Sequence, residues 1–167
     1  MEFSEAKEKF LQTWGALGSH WGINKTMAQI HALLMVSPDS LSMEEVMEDL
    51  NISRGNASMN LRALIDWGLI FKEYKSGERR EYFLAEQDID QLARKIAIER
   101  SKREIKPTLR VLEDVQSLES DGSKESLKFK AKTKELYEFV SKADTMLEKI
   151  VNQKENWITK TILKLMS

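Results

Sequence analysis

The chain has 167 residues, 41% of them apolar and 32% charged, with two Pro and seven Gly; this suffices for a core of ordinary size and excludes a disordered or fibrous polymer. It has no Cys, which excludes disulfides and thiolate metal sites and makes a reducing cytoplasm the expected location. With 26 Lys plus Arg against 27 Asp plus Glu the formal net charge is −1, so any case for nucleic acid must come from local arrangement rather than global charge.

Phe3, Phe10, Trp14, Leu17 and Trp21 recur at helical spacing and predict a helix over 4–21 with one apolar stripe facing a partner. Before it, Met1 to Glu5 shows no basic region leading into an apolar run, and no stretch nears the roughly 18 apolar residues of a membrane span. A second helix is predicted over 25–36, turning Met27, Ile30, Leu33 and Leu34 inward and ending at Ser37-Pro38-Asp39-Ser40.

Ser42-Met43-Glu44-Glu45 has the spacing of a capping box, so a short helix starts at Met43, buries Val46, Met47 and Leu50, and stops at Asn51-Ile52. Ser53 caps the next helix. Its apolar positions are Ala57, Leu61, Leu64 and Ile65, with Arg54, Asn56, Ser58, Asn60 and Arg62 expected around the other faces. It closes at Trp67-Gly68, where glycine tolerates the left-handed conformation that ends many helices. Residues 69–71 and 81–84 are β-prone and flank the polar turn Lys75-Ser76-Gly77-Glu78, which predicts one β-hairpin.

The remainder reads as helix. A stretch over 88–118 is expected to break or bend near Pro107, and Ser120-Asp121-Gly122-Ser123 is a loop. A long helix over 124–152 carries Leu136, Phe139, Val140, Ala143, Leu147 and Ile150, and a last short helix carries Trp157, Ile158, Ile162 and Leu165. The predicted class is therefore mainly α: a winged helix-turn-helix with a small β-hairpin wing. The expected divisions are an N-terminal dimerisation helix over 1–24, a DNA-binding domain over 25–86 and a C-terminal helical dimerisation region over 87–167.

Charge follows the same boundaries. Residues 39–50 hold five acidic side chains and no basic one, whereas 53–80 hold six basic against three acidic, a local net of +3. Two short helices joined tightly and followed by a hairpin place the second helix in a major groove and the hairpin beside the backbone. Arg54, Asn56, Ser58 and Asn60 are the expected readers of base edges, because their side chains donate and accept in the geometries that base edges present. Ser53, Arg62, Lys72, Lys75, Arg79 and Arg80 are the expected phosphate or wing contacts. The same residues would also serve a solvated helix face and a charged edge strand, and a winged-helix adaptor that binds protein without specific DNA binding fits the net charge.

The segment Leu41-Ser42-Met43-Glu44-Glu45, through Leu50-Asn51-Ile52-Ser53-Arg54-Gly55-Asn56-Ala57-Ser58-Met59-Asn60-Leu61-Arg62 to Leu64-Ile65-Asp66-Trp67-Gly68-Leu69-Ile70, resembles the GbsR-type branch of the MarR-like regulators. Phe10-Leu11-Gln12-Thr13-Trp14-Gly15 and the wing tip Lys75-Ser76-Gly77-Glu78-Arg79-Arg80 are similar too; the C-terminal part matches only in being helical. The resemblance implies a homodimer joined through N- and C-terminal helices. It also implies a pseudo-palindromic operator in double-stranded DNA, and repression of genes for osmoprotectant uptake or for converting choline to glycine betaine.

Trp14, Trp21 and Trp157 could form an aromatic cage for a quaternary ammonium effector such as choline, although aromatics at helical spacing more commonly pack a core or dimer seam. Trp67 is expected in the core between recognition helix and wing. The two His residues, His20 and His31, are expected on the surface or partly packed; without Cys they do not form a zinc site. No phosphate-binding glycine loop, nucleophile elbow or Glu-paired His pattern occurs, so no cofactor and no catalysis are expected.

Overall fold

The computed structural model describes residues 1–20, 22–119 and 121–152; Trp21, Ser120 and the expected last helix with Trp157, Ile158, Ile162 and Leu165 lie outside the described residues. The chain divides into two compact units, Met1–Leu92 and Ala93–Ser167.

In the first unit, α1 (Phe3–His20) crosses α2 (Lys25–Val36) where Gly15 and Gly18 are buried. A Cβ on Gly18 would stand 2.5 Å from the Ala28 Cβ, so glycine is what permits this approach. Asn24 starts α2 by accepting from the Thr26 and Met27 backbone N–H groups at 2.8 and 3.3 Å. Met27, Ala28, Ile30, Ala32, Leu33 and Leu34 are all buried, which makes α2 the central element of the core. The aromatic stripe of α1 lies off the crossing: Phe3 and Leu17 are exposed, while Phe10 and Trp14 are half-buried with ring centroids 5.6 Å apart.

His31 departs from expectation. It is 4% exposed, on α2, and its Nε2 has no partner among the described residues. Placing α2 between its neighbours buries every face of the helix at this level, the polar position included.

The capping box forms: Ser42 Oγ accepts from the Glu45 N–H at 3.3 Å, and Glu45 Oε2 accepts from the Ser42 N–H at 2.7 Å. Two orphan donors are thereby satisfied, and α3 (Met43–Leu50) starts where the sequence indicates. Val46 is fully buried, and Asn51 in the left-handed conformation, φ 49°, turns the chain toward Ser53. Ser53 Oγ caps α4 (Arg54–Asp66) by accepting from the Asn56 N–H at 3.3 Å. Gly68, φ 68°, closes the helix as its N–H bonds the Ile65 carbonyl at 2.8 Å, and Trp67 is half-buried beside it.

The wing is larger than one hairpin. β2 (Ile70–Tyr74) and β3 (Glu81–Ala85) pair antiparallel with Ile70 opposite Ala85 and Tyr74 opposite Glu81. A third strand, β1 (Leu41–Ser42), adds to the other side of β3, giving the order β1-β3-β2. Two residues show no alternation, so β1 is visible only once Phe83 and Tyr82 stand opposite it. This α1-α2-β1-α3-α4-β2-β3 order is the winged helix-turn-helix fold.

Helix α5 (Ile89–Arg100) crosses the boundary between the units and runs into a π-helical turn, Ser101–Ile105, before α6 (Lys106–Asp114). Near Pro107, where a break or bend is expected, the helical run continues through this turn: Pro107 lacks the N–H that an α-helical ladder needs, and the wide turn lets α6 start with Pro in its first turn. In the second unit, α7 (Lys124–Asn152) packs on α6. Buried Asp144 accepts from Ser101 Oγ at 2.7 Å. Leu136, Phe139, Ala143 and Met146 of α7 are exposed. No helix among the described residues is long and apolar enough to cross a membrane.

Candidate nucleic-acid interface

Helix α4 is anchored along one side by Ala57, Leu61 and Leu64, all 2% exposed or less. This phase turns Arg54, Gly55, Met59 and Arg62 outward, with Asn56 and Ser58 half-exposed. A side chain built on Gly55 would meet nothing within 4 Å, so the first turn of α4 is open to a large partner. The N-terminal end of a helix also carries partial positive charge and unpaired N–H groups, which suits a phosphate backbone.

Asn60 does not share this face. It is 2% exposed, and its Nδ2 donates to the Asn56 carbonyl at 2.9 Å and to Asn56 Oδ1 at 2.7 Å. The reason is helical phase: position 60 falls three residues after Ala57 and beside Leu61, inside the buried stripe. Asn60 therefore braces Asn56 instead of reaching outward. Met59, which is not among the expected site residues, takes the outward position at 58% exposure. The same phase argument would have found it, and its thioether offers apolar contact of the kind a thymine methyl accepts.

Between the start of α3, α4 and the hairpin lies an open groove of about 370 Å³, lined in part by Ser58, Arg62, Lys72, Arg79 and Arg80. These residues belong to separate elements, and the fold brings them to one concave surface. Their charges are not equally available. Lys72 Nζ pairs with Glu81 Oε1 at 2.7 Å, which raises the lysine pKa and lowers that of the glutamate, the hydrogen bond being the main cause for each. Lys75 is half-buried with its Nζ 3.9 Å from the Tyr82 ring centroid, and Tyr82 donates to Glu78. Arg62, Arg79 and Arg80 are exposed and held by no ion pair among the described residues.

Arg54 is engaged as well. Its Nη2 donates to Glu44 Oε1 at 2.6 Å, across the turn between α3 and α4. The Glu44 pKa is lowered by a hydrogen bond from its own backbone N–H first, then by Arg54, with a contribution from Arg80. Glu45 is lowered by Ser42, and the charges of Lys75 and Arg80 act in the same direction. The surface as a whole is a polar helix start beside a cationic groove, with two acidic side chains, Glu44 and Glu81, set among the cations. Of the tryptophans considered for an aromatic cage, Trp14 packs against Phe10 with the two rings tilted by 37°, and Trp21 and Trp157 lie outside the described residues.

No family model matches the chain, and no curated protein matches it. A crystal structure of a transcriptional regulator is similar to it, with a TM-score of 0.63 over 87% of this chain and 95% of the other at 19% sequence identity. At that identity the likeness concerns the fold, and it extends over both units rather than the head alone.

Proposed function

We propose that the chain is a sequence-specific transcriptional regulator that binds double-stranded DNA as a homodimer. The observation that carries this reading is the exposed polar first turn of α4 beside a groove lined by Arg62, Lys72, Arg79 and Arg80. A major groove about 12 Å wide admits a helix of this kind, and cations flanking it release counterions from the backbone. Arg54, Asn56, Ser58 and Met59 supply base-edge contacts; Ser53, Arg62, Arg79 and Arg80 contact phosphate, with Lys72 and Lys75 contributing once their present partners yield. The fold shared with a transcriptional regulator supports the same reading.

Dimerisation is supported by α7, whose exposed Leu136, Phe139, Ala143 and Met146 recur at the three-four spacing of a helix-pairing seam. Two heads separated by about one turn of DNA, roughly 34 Å, then read a pseudo-palindrome. The finer assignment, a cytoplasmic repressor of osmoprotectant uptake or glycine betaine synthesis genes, rests on the resemblance of the head to the GbsR-type regulators.

The test is selection of bound fragments from genomic DNA by the purified chain, followed by fluorescence anisotropy on the selected fragment and on a random duplex across a salt series. Preference for the selected fragment, with affinity falling steeply as salt rises, supports the proposal. Failure to bind any duplex at low ionic strength would leave a protein-binding adaptor as the better reading.

A further inference from the structure

Arg54 stands at the first position of α4, where a guanidinium reaches either a base edge or a neighbouring phosphate. Such a choice decides specificity, because phosphates are the same in every sequence. In this structure the guanidinium is already held from one side, by the carboxylate of Glu44 at 2.6 Å. Both side chains are largely solvent-facing, at 63% and 49% exposure, so the pair adds little to folding stability. The capping of α3 does not need Glu44 either, since Ser42 and Glu45 complete the box. Beyond accepting from its own backbone N–H in the first turn of α3, Glu44 has Arg54 as its partner, and it lines the cationic groove together with Arg62 and Arg80. A carboxylate on a surface that meets polyphosphate weakens binding unless it supplies something in return.

We infer that Glu44 is a specificity-determining residue of this surface, buttressing Arg54 so that the guanidinium addresses a base edge and is kept off phosphate. This rests on the DNA-binding reading of α4. Arg has five N–H donors in a planar fork, enough to serve a guanine edge with one side and a carboxylate with the other. On a matched site both contacts coexist, and the carboxylate stays neutralised. On an unmatched site the guanidinium is useful only against phosphate. Turning there breaks the pair and leaves Glu44 unpaired in a strongly negative field, so the unmatched complex is the one penalised. Glu81 beside Lys72 does not act in this way, because Lys72 is a wing cation with no base edge to address.

The inference is tested by anisotropy titrations of the full chain on the selected genomic fragment and on a random duplex of equal length. The variants are Glu44→Gln, Arg54→Ala, the double variant, and Glu48→Gln as a control that removes one exposed acidic charge elsewhere on α3. Glu44→Gln is expected to tighten random-duplex binding about three- to tenfold at low salt while changing the selected fragment less than about twofold, so that discrimination falls. In the Arg54→Ala background the same change should shift both duplexes by one common factor. Glu48→Gln should leave the ratio untouched. Glu44→Ala repeats the readout with a different side chain, and circular dichroism verifies folding of each variant. Equal tightening on both duplexes by Glu44→Gln, or an equal effect from Glu48→Gln, would overturn the inference while leaving the DNA reading intact. A wild-type chain that binds neither duplex overturns the reading itself and this inference with it.

Discussion

Asn60 donates through Nδ2 both to the carbonyl oxygen and to the side-chain oxygen of Asn56, at 2.9 and 2.7 Å, one helical turn away. The inner residue is buried and the outer one half-exposed, so the pair connects the core to the surface proposed to read bases. The bond from Asn60 fixes the Asn56 side chain through its Oδ1. Asn60→Ala should lower stability by about 1–3 kcal/mol, because it removes two part-buried hydrogen bonds and leaves a small cavity. Asn56→Ala should cost clearly less in urea denaturation. Both should reduce discrimination between selected and random duplexes. Stability of Asn60→Ala within roughly 0.5 kcal/mol of wild type would argue against this bracing role.

The wing cations should not be equivalent. Arg79 is exposed and outside any ion pair among the described residues, whereas Lys72 is already paired with Glu81. Arg79→Ala is expected to weaken selected and random duplexes alike and to flatten the log-affinity against log-salt slope by about one unit. Lys72→Ala should flatten it less, since forming the DNA contact first requires breaking an existing one. A salt series on both duplexes measures each slope, and a larger effect at Lys72 would contradict this ranking.

Phe139 is 72% exposed on α7, and its position in the Leu136 to Met146 seam makes it the side chain that a second copy would cover. Phe139→Glu should therefore leave helix content unchanged while shifting the chain to monomer in sedimentation velocity. Affinity for a two-half-site fragment should then fall roughly 100-fold or more, since the second head no longer binds at the high effective concentration that linkage provides. A dimer that survives Phe139→Glu would locate the partner contact elsewhere.

Burial lowers the His31 pKa from 6.5 to about 4, which makes the fold sensitive to acid. The neutral ring is the form that the core accepts. Its contribution is complete above pH 6.5 and is lost as pH falls toward 4, because over that window the unfolded chain takes up a proton that the folded chain refuses. The loss amounts to about 3 kcal/mol at roughly 1.4 kcal/mol per pH unit. Urea denaturation at intervals from pH 7 to pH 4 should show this slope in the wild type and a shallower one in His31→Leu. Parallel slopes for the two chains would exclude His31 as the cause.

Much of the head was legible in the sequence because its signals are local. The Ser42–Glu45 capping box, Ser53 at the start of α4 and Gly68 at its end act over one turn of chain, and each forms in the structure. The inward set of α2 was legible for a similar reason, since Met27, Ile30, Leu33 and Leu34 repeat at the period of the helix that buries them. Composition favoured Asn60 as a surface polar residue, but phase decided otherwise, and phase was readable from Ala57, Leu61 and Leu64 had it been applied to every position. Strand β1 is two residues long and has no pattern of its own; only pairing with β3 defines it.

The amino-acid order by itself determined which segments coil, where they stop, and that cations cluster after residue 53, because those properties arise from neighbours within a few residues of one another. Tertiary structure alone decided that Glu44 meets Arg54 ten residues on, that Lys72 is neutralised by Glu81, and that α7 keeps one apolar seam uncovered. Side chains on different elements, or on opposite faces of one helix, acquire partners only when packing sets the distance between backbones, and no local pattern encodes that distance.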